Sequence, residues 1–67
     1  MNIVKETAKE LGMTQKELAQ YIGVHEDTMS KWSRGVVDVP KWAIKLFELL
    51  KIEKKFNTLK QIFSDNI

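Results

Sequence analysis

Residues 14–32 read Thr14-Gln15-Lys16-Glu17-Leu18-Ala19-Gln20-Tyr21-Ile22-Gly23-Val24-His25-Glu26-Asp27-Thr28-Met29-Ser30-Lys31-Trp32. The pattern predicts two short helices joined by a tight turn. Thr14 and Glu17 have the spacing of a capping box, in which each side chain satisfies a free backbone amide at the helix start. Leu18, Ala19 and Ile22 then form one inner face. Gly23 supplies the positive φ that a tight inter-helix turn requires, and Val24 tucks back toward the core. The second helix is expected from about Glu26 to Ser33, with His25 as its N-cap. Glu26 and Asp27 suit the positive end of its dipole. Met29 and Trp32, three apart, face inward, while Thr28, Lys31 and Arg34 lie around the outer side, and Gly35 stops the helix.

The flanking sequence extends this plan. Val4, Ala8 and Leu11 recur at i, i+4 and i+7 and mark the apolar face of a helix from about Asn2 to Leu11, which Gly12 ends as a left-handed cap. Val36-Val37-Asp38-Val39 is the only β-branched cluster, too short for a firm strand. Pro40 is suited to the first turn of a fourth helix, where its missing N–H costs nothing. In that helix Trp42, Leu46 and Leu49, with Ala43, Phe47 and Leu50, give a broad apolar stripe, and Trp32 and Trp42 both read as core. No Gly or Pro follows Pro40. The series Leu49, Ile52, Phe56, Leu59, Phe63 has 3-4-3-4 spacing, which fits a fifth helix folded back, a continuation of helix four, or a short coiled-coil seam. Thr58-x-x-Gln61 resembles a second capping box and favours a break. The expected architecture is one all-α domain of four to five helices over residues 1–67, with 14–33 as its centre and 51–67 as a helical extension.

Composition narrows the function classes. The chain has 67 residues, no cysteine and one histidine, His25. A single small domain is the expectation, with no disulfide or thiolate metal site and no protein-only metal site. No Gly-rich phosphate loop, cysteine nucleophile or histidine with a matching base is present, so neither an enzyme nor a cofactor is expected, and a domain this small offers little room for a small-molecule pocket. Its apolar runs fall short of the roughly 20 residues that span a bilayer. The start lacks a signal-peptide apolar core, so a cytoplasmic protein without membrane contact is expected. Formal net charge is +2. Residues 1–40 carry five Lys/Arg against six Asp/Glu, and residues 41–67 carry six Lys against three Asp/Glu. Residues 14–32 therefore show no basic footprint, and the motif itself must carry the argument.

That motif is the helix-turn-helix, which sets one helix in the DNA major groove. Residues 3–50 resemble the Cro/cI-type, or XRE, lambda-repressor-like helix-turn-helix domain of phage repressors and bacterial regulators. The resemblance rests on Met13-Thr14-Gln15-x-x-Leu18-Ala19-x-x-Ile22-Gly23-Val24, then Met29-Ser30-x-Trp32, then Arg34-Gly35 and Pro40. It implies sequence-specific binding of double-stranded DNA by a small transcriptional regulator, a repressor acting as a homodimer. Gln15 matches the family glutamine that contacts a phosphate and braces the start of the recognition helix. His25, Glu26, Asp27 and Thr28 match positions that meet base edges or phosphates, and Lys31 matches another groove-facing position. Lys41 follows Pro40, where some phage repressors carry an arginine directed toward the minor groove or the backbone, and Arg34 is a further candidate base or phosphate ligand.

Each assignment has a plainer counterpart. The family often has Gln, Ser, Arg or Asn where this chain has Glu26 and Asp27. Carboxylates repel phosphates, yet one can accept from cytosine N4, and both also suit a helix N-terminus without touching DNA. Lys31 and Arg34 equally favour a helix C-terminus. The later lysines, Lys41 among them, equally read as a solvated helix. Leu59, Ile62 and Phe63 are the candidate dimer contacts, or they cap the monomer's own core. The two acids also raise a rival reading, a protein-interaction module such as an antitoxin or scaffold on the same fold.

Overall fold

The computed structural model describes residues 2–65; residues 1, 66 and 67 of the expected domain lie outside this range. Among the described residues the chain forms α1 (Ile3–Leu11), α2 (Gln15–Ile22), α3 (Glu26–Arg34) and α4 (Lys41–Asp65) and no strand. The domain is all-α, as the sequence predicts, and has four helices rather than five.

Every boundary in the first half has a local cause. Asn2 caps α1, its side chain accepting from the Lys5 amide. Thr14 and Glu17 form both arms of the capping box, at 3.1 Å (Glu17 N–H to Thr14 Oγ1) and 3.0 Å (Thr14 N–H to Glu17 Oε1). Glu17's carboxyl is held below its ordinary value, first by the Thr14 backbone N–H and then by the Thr14 side chain. Gly23 ends α2 at φ 81°. A Cβ there would meet nothing within 4 Å, so glycine is required by the backbone conformation and not by space. The amides of Gly23 and Val24 both return to the Ala19 carbonyl at 3.0 Å, which closes the turn. Helix α3 runs one residue further than expected before Gly35, and Val36 N–H satisfies the Lys31 carbonyl behind it.

Val4, Ala8, Leu18, Ala19, Met29, Trp32, Ala43, Phe47 and Leu50 form one buried core to which all four helices contribute. Ile22, Val24 and Leu46 pack against it. Thr7 is fully buried, and its hydroxyl is satisfied by donating to the Ile3 carbonyl at 2.6 Å. The Trp32 ring meets Phe47 edge-on at 6.5 Å and Trp42 at 5.9 Å.

Helix α4 departs from several expectations. Pro40 stands immediately before the first residue of the helix, and its carbonyl accepts the bonds from Ala43 and Ile44 that close the first turn. Trp42 is 53% exposed, although its ring stands T-shaped against buried Trp32. Leu49 is exposed as well. The C-terminal segment neither breaks nor folds back. Thr58, read as the cap of a new helix, donates its hydroxyl to the Lys54 carbonyl at 3.0 Å inside a helix of 25 residues. With no Gly or Pro after Pro40, nothing interrupts helix propagation. At 1.5 Å per residue α4 is about 37 Å long, which explains a molecule 48 Å long and about 20 Å across.

Candidate nucleic-acid interface

Helices α2 and α3 and the Gly23 turn form the frame of the site. Met29 and Trp32 anchor α3 from inside and leave the opposite side of a nine-residue helix free. His25, Glu26, Asp27, Lys31 and Arg34 are exposed along this outer edge, while Thr28 and Ser30 are half-buried at its margin. Thr28 is thus less available than the helical pattern suggests.

At the head of α3 the His25 Nδ1 accepts from the Asp27 amide at 3.0 Å. Only an unprotonated Nδ1 can accept, so the neutral ring carries its proton on Nε2, which remains a donor toward solvent. One turn on, Lys31 Nζ lies 3.1 Å from Asp27 Oδ2, an exposed i,i+4 pair. Their i,i+4 spacing is the sequence signal that links the two side chains. Arg34 Nε donates to Ser30 Oγ at 3.2 Å. Two acids and two bases therefore share the outer edge, and Asp27 is screened by its own helix.

Ser33 is a junction that sequence reasoning missed. Its Oγ accepts from Gln15 Nε2 at 3.1 Å, and its carbonyl accepts from Asn2 Nδ2 at 2.7 Å. The starts of α1 and α2 are both tied to the end of α3. The resemblance implied that Gln15 braces the start of α3. It instead braces the end, because Ser33 Oγ is the acceptor in reach. Lys41 lies exposed at the first position of α4. Leu59, Ile62 and Phe63 are 51–66% exposed, so they do not cap the monomer's core.

No helix among the described residues is long and apolar enough to cross a membrane, and no described cluster of His, Asp or Glu could hold a metal ion. Two helices crossing through a glycine turn, with an outer face kept polar by an anchored inner one, define a helix-turn-helix protein. Residues 4–62 match the helix-turn-helix family. The chain belongs to this family in its XRE, lambda-repressor-like form, and is a DNA-binding helix-turn-helix regulator. No curated protein and no solved structure matches the chain.

Proposed function

We propose that this protein is a sequence-specific transcriptional repressor that acts in the cytoplasm as a homodimer, with α3 in the major groove of double-stranded DNA. One observation carries the reading. His25, Glu26, Asp27, Lys31 and Arg34 are exposed on the outer edge of α3, with Thr28 half-buried at its margin, while the inner edge is locked by Met29, Trp32 and the Ser33 junction. A rigid helix presenting donors and acceptors is what base readout requires. In this reading Gln15, Lys31, Arg34 and Lys41 meet phosphates and set position, and His25, Glu26, Asp27 and Thr28 face base edges. Asp27 or Glu26 accepts from cytosine N4, and each good contact discriminates by roughly 1–3 kcal/mol. Two copies reading half-sites about 34–36 Å apart would occlude a promoter.

Selection from a random double-stranded pool at several salt concentrations, followed by sequencing, tests this. An enriched palindrome whose binding weakens steeply with salt is the expected result. Absence of binding at low salt would overturn the proposal and favour the protein-interaction reading.

A further inference from the structure

The beyond-the-core half of α4 carries a second apolar face. Leu49, Ile52, Phe56, Leu59 and Phe63 are 55–66% exposed. With an advance of about 100° per residue, their mean direction lies about 165° around the helix from that of buried Ala43, Phe47 and Leu50. One side of α4 thus packs on the bundle and the other points away from it, so the monomer cannot cover the seam.

The charges beside the seam select its occupant. With Leu49, Phe56 and Phe63 at a and Ile52 and Leu59 at d, the flanking e and g positions are Glu48 (g), Glu53 (e), Lys55 (g) and Lys60 (e). Parallel pairing of two copies sets Glu48 against Glu53 and Lys55 against Lys60, all like-charged. Antiparallel pairing with Phe56 opposite Leu59 and Ile52 opposite Phe63 sets Glu53 of each copy against Lys60 of the other. Sliding one copy by a heptad in this orientation sets Glu53 against Glu53 and Lys55 against Lys55. A single register therefore pairs both the apolar layers and the charges.

We infer that two copies of this chain join through an antiparallel pairing of their α4 helices centred between Asn57 and Thr58, with two Glu53–Lys60 pairs on its flanks. The inference rests on the homodimer reading and adds its surface, orientation and register. Ile62 lies beside the seam and joins it. Together with Ile52, Phe56, Leu59 and Phe63, half to two-thirds exposed, it offers on the order of 500 Å² of apolar surface per copy, so two copies can bury up to roughly 1,000 Å², the lower limit for a specific interface. The two bundles then sit on opposite flanks of the helix pair.

Sedimentation equilibrium of the full chain and its charge variants tests the inference. The wild type is expected to dimerise with rising concentration. Glu53→Lys and Lys60→Glu should each weaken the dimer by roughly tenfold or more, and the double variant should restore it. Parallel pairing reverses the signs, since either single variant then replaces repulsion by attraction. Tightening, or no change, in the single variants overturns the orientation while leaving the homodimer intact. The chain has no cysteine, so Glu53→Cys and Lys60→Cys copies give a second measurement. When mixed and oxidised they should cross-link to each other and neither to itself; self-linking overturns the register. A wild type that stays monomeric to millimolar concentration overturns the homodimer reading as well.

Discussion

Gln15 Nε2 donates to Ser33 Oγ across 3.1 Å, joining the first turn of α2 to the last turn of α3. The bond holds α3 at the end farther from its glycine turn, and Asn2 adds a second tie through the Ser33 carbonyl. Ser33→Ala removes the first tie and keeps the second. It should cost about 1 kcal/mol, a fall in Tm of about 4–8 °C for a domain of this size. Gln15→Ala should cost a similar amount. If Gln15 also meets a phosphate, it should lower DNA affinity further than Ser33→Ala does. Thermal unfolding and DNA titration on the same two variants separate the roles; equal losses of affinity would assign Gln15 to bracing alone.

Gly23 tests the turn. Its φ of 81° is one that an L side chain rarely adopts, although the space beside it is open. Gly23→Ala should therefore destabilise by about 1–2 kcal/mol through backbone strain alone, and Gly23→Asn by less, since asparagine tolerates the left-handed region. Urea unfolding of both variants reads this difference. A neutral alanine variant would be incompatible with the left-handed turn.

Asp27 and Lys31 form an exposed pair, which contributes little to stability, about 0.3–0.5 kcal/mol. Its consequence lies in binding. Asp27→Asn frees the Lys31 ammonium and removes a carboxylate from the outer edge of α3. It should change the preferred base at one position and leave affinity in place. Lys31→Ala should weaken binding to all sequences and flatten the salt slope by about one unit. Repeating the pool selection with each variant checks both. An unchanged preferred sequence and affinity in both variants would mean that α3 is not the reading helix.

Glu17 links the fold to acid. Its carboxyl titrates below the ordinary value because the Thr14 amide and hydroxyl hold the charged form. A pKa lowered on folding gives stability that is present above the unfolded value and is lost as pH falls through the folded one. Glu17→Gln keeps an acceptor for the Thr14 amide and removes the titration. Its stability should consequently fall less than that of the wild type between pH 5 and pH 3, as followed by urea midpoints. Parallel curves for the two proteins would remove Glu17 from the acid response.

The first three helices were legible because their signals are local. Thr14, Glu17, Gly12, Gly23 and Gly35 each act on the backbone within a few residues, and Leu18, Ala19, Met29 and Trp32 repeat at helical spacing. Ser33 was not legible, since its partners Gln15 and Asn2 are 18 and 31 residues away in the chain. Trp42 misled because an aromatic in an apolar stripe reads as core, whereas its ring meets buried Trp32 and is otherwise half-exposed. Helix α4 misled for a related reason. Two apolar faces on one helix blur the period of each, and the segment then reads equally as a fold-back, a continuation or a seam. The turnless run after Pro40 was the signal that pointed to continuation.

The division of α4 into two halves makes a sharp contrast between two phenylalanines nine residues apart. Phe47 is fully buried against Trp32, while Phe56 is 64% exposed on the opposite seam. Phe47→Ala should cost about 3–5 kcal/mol, enough to unfold much of a small domain. Phe56→Ala leaves no cavity in the monomer, so at concentrations below dimerisation its unfolding midpoint should match that of the wild type. The wild type should gain stability as concentration rises, because association favours the folded state, and Phe56→Ala should not. Denaturant unfolding at low and high protein concentration measures all three quantities. A concentration-independent loss of stability in Phe56→Ala would mean that the outer half of α4 belongs to the monomer's core and not to its surface.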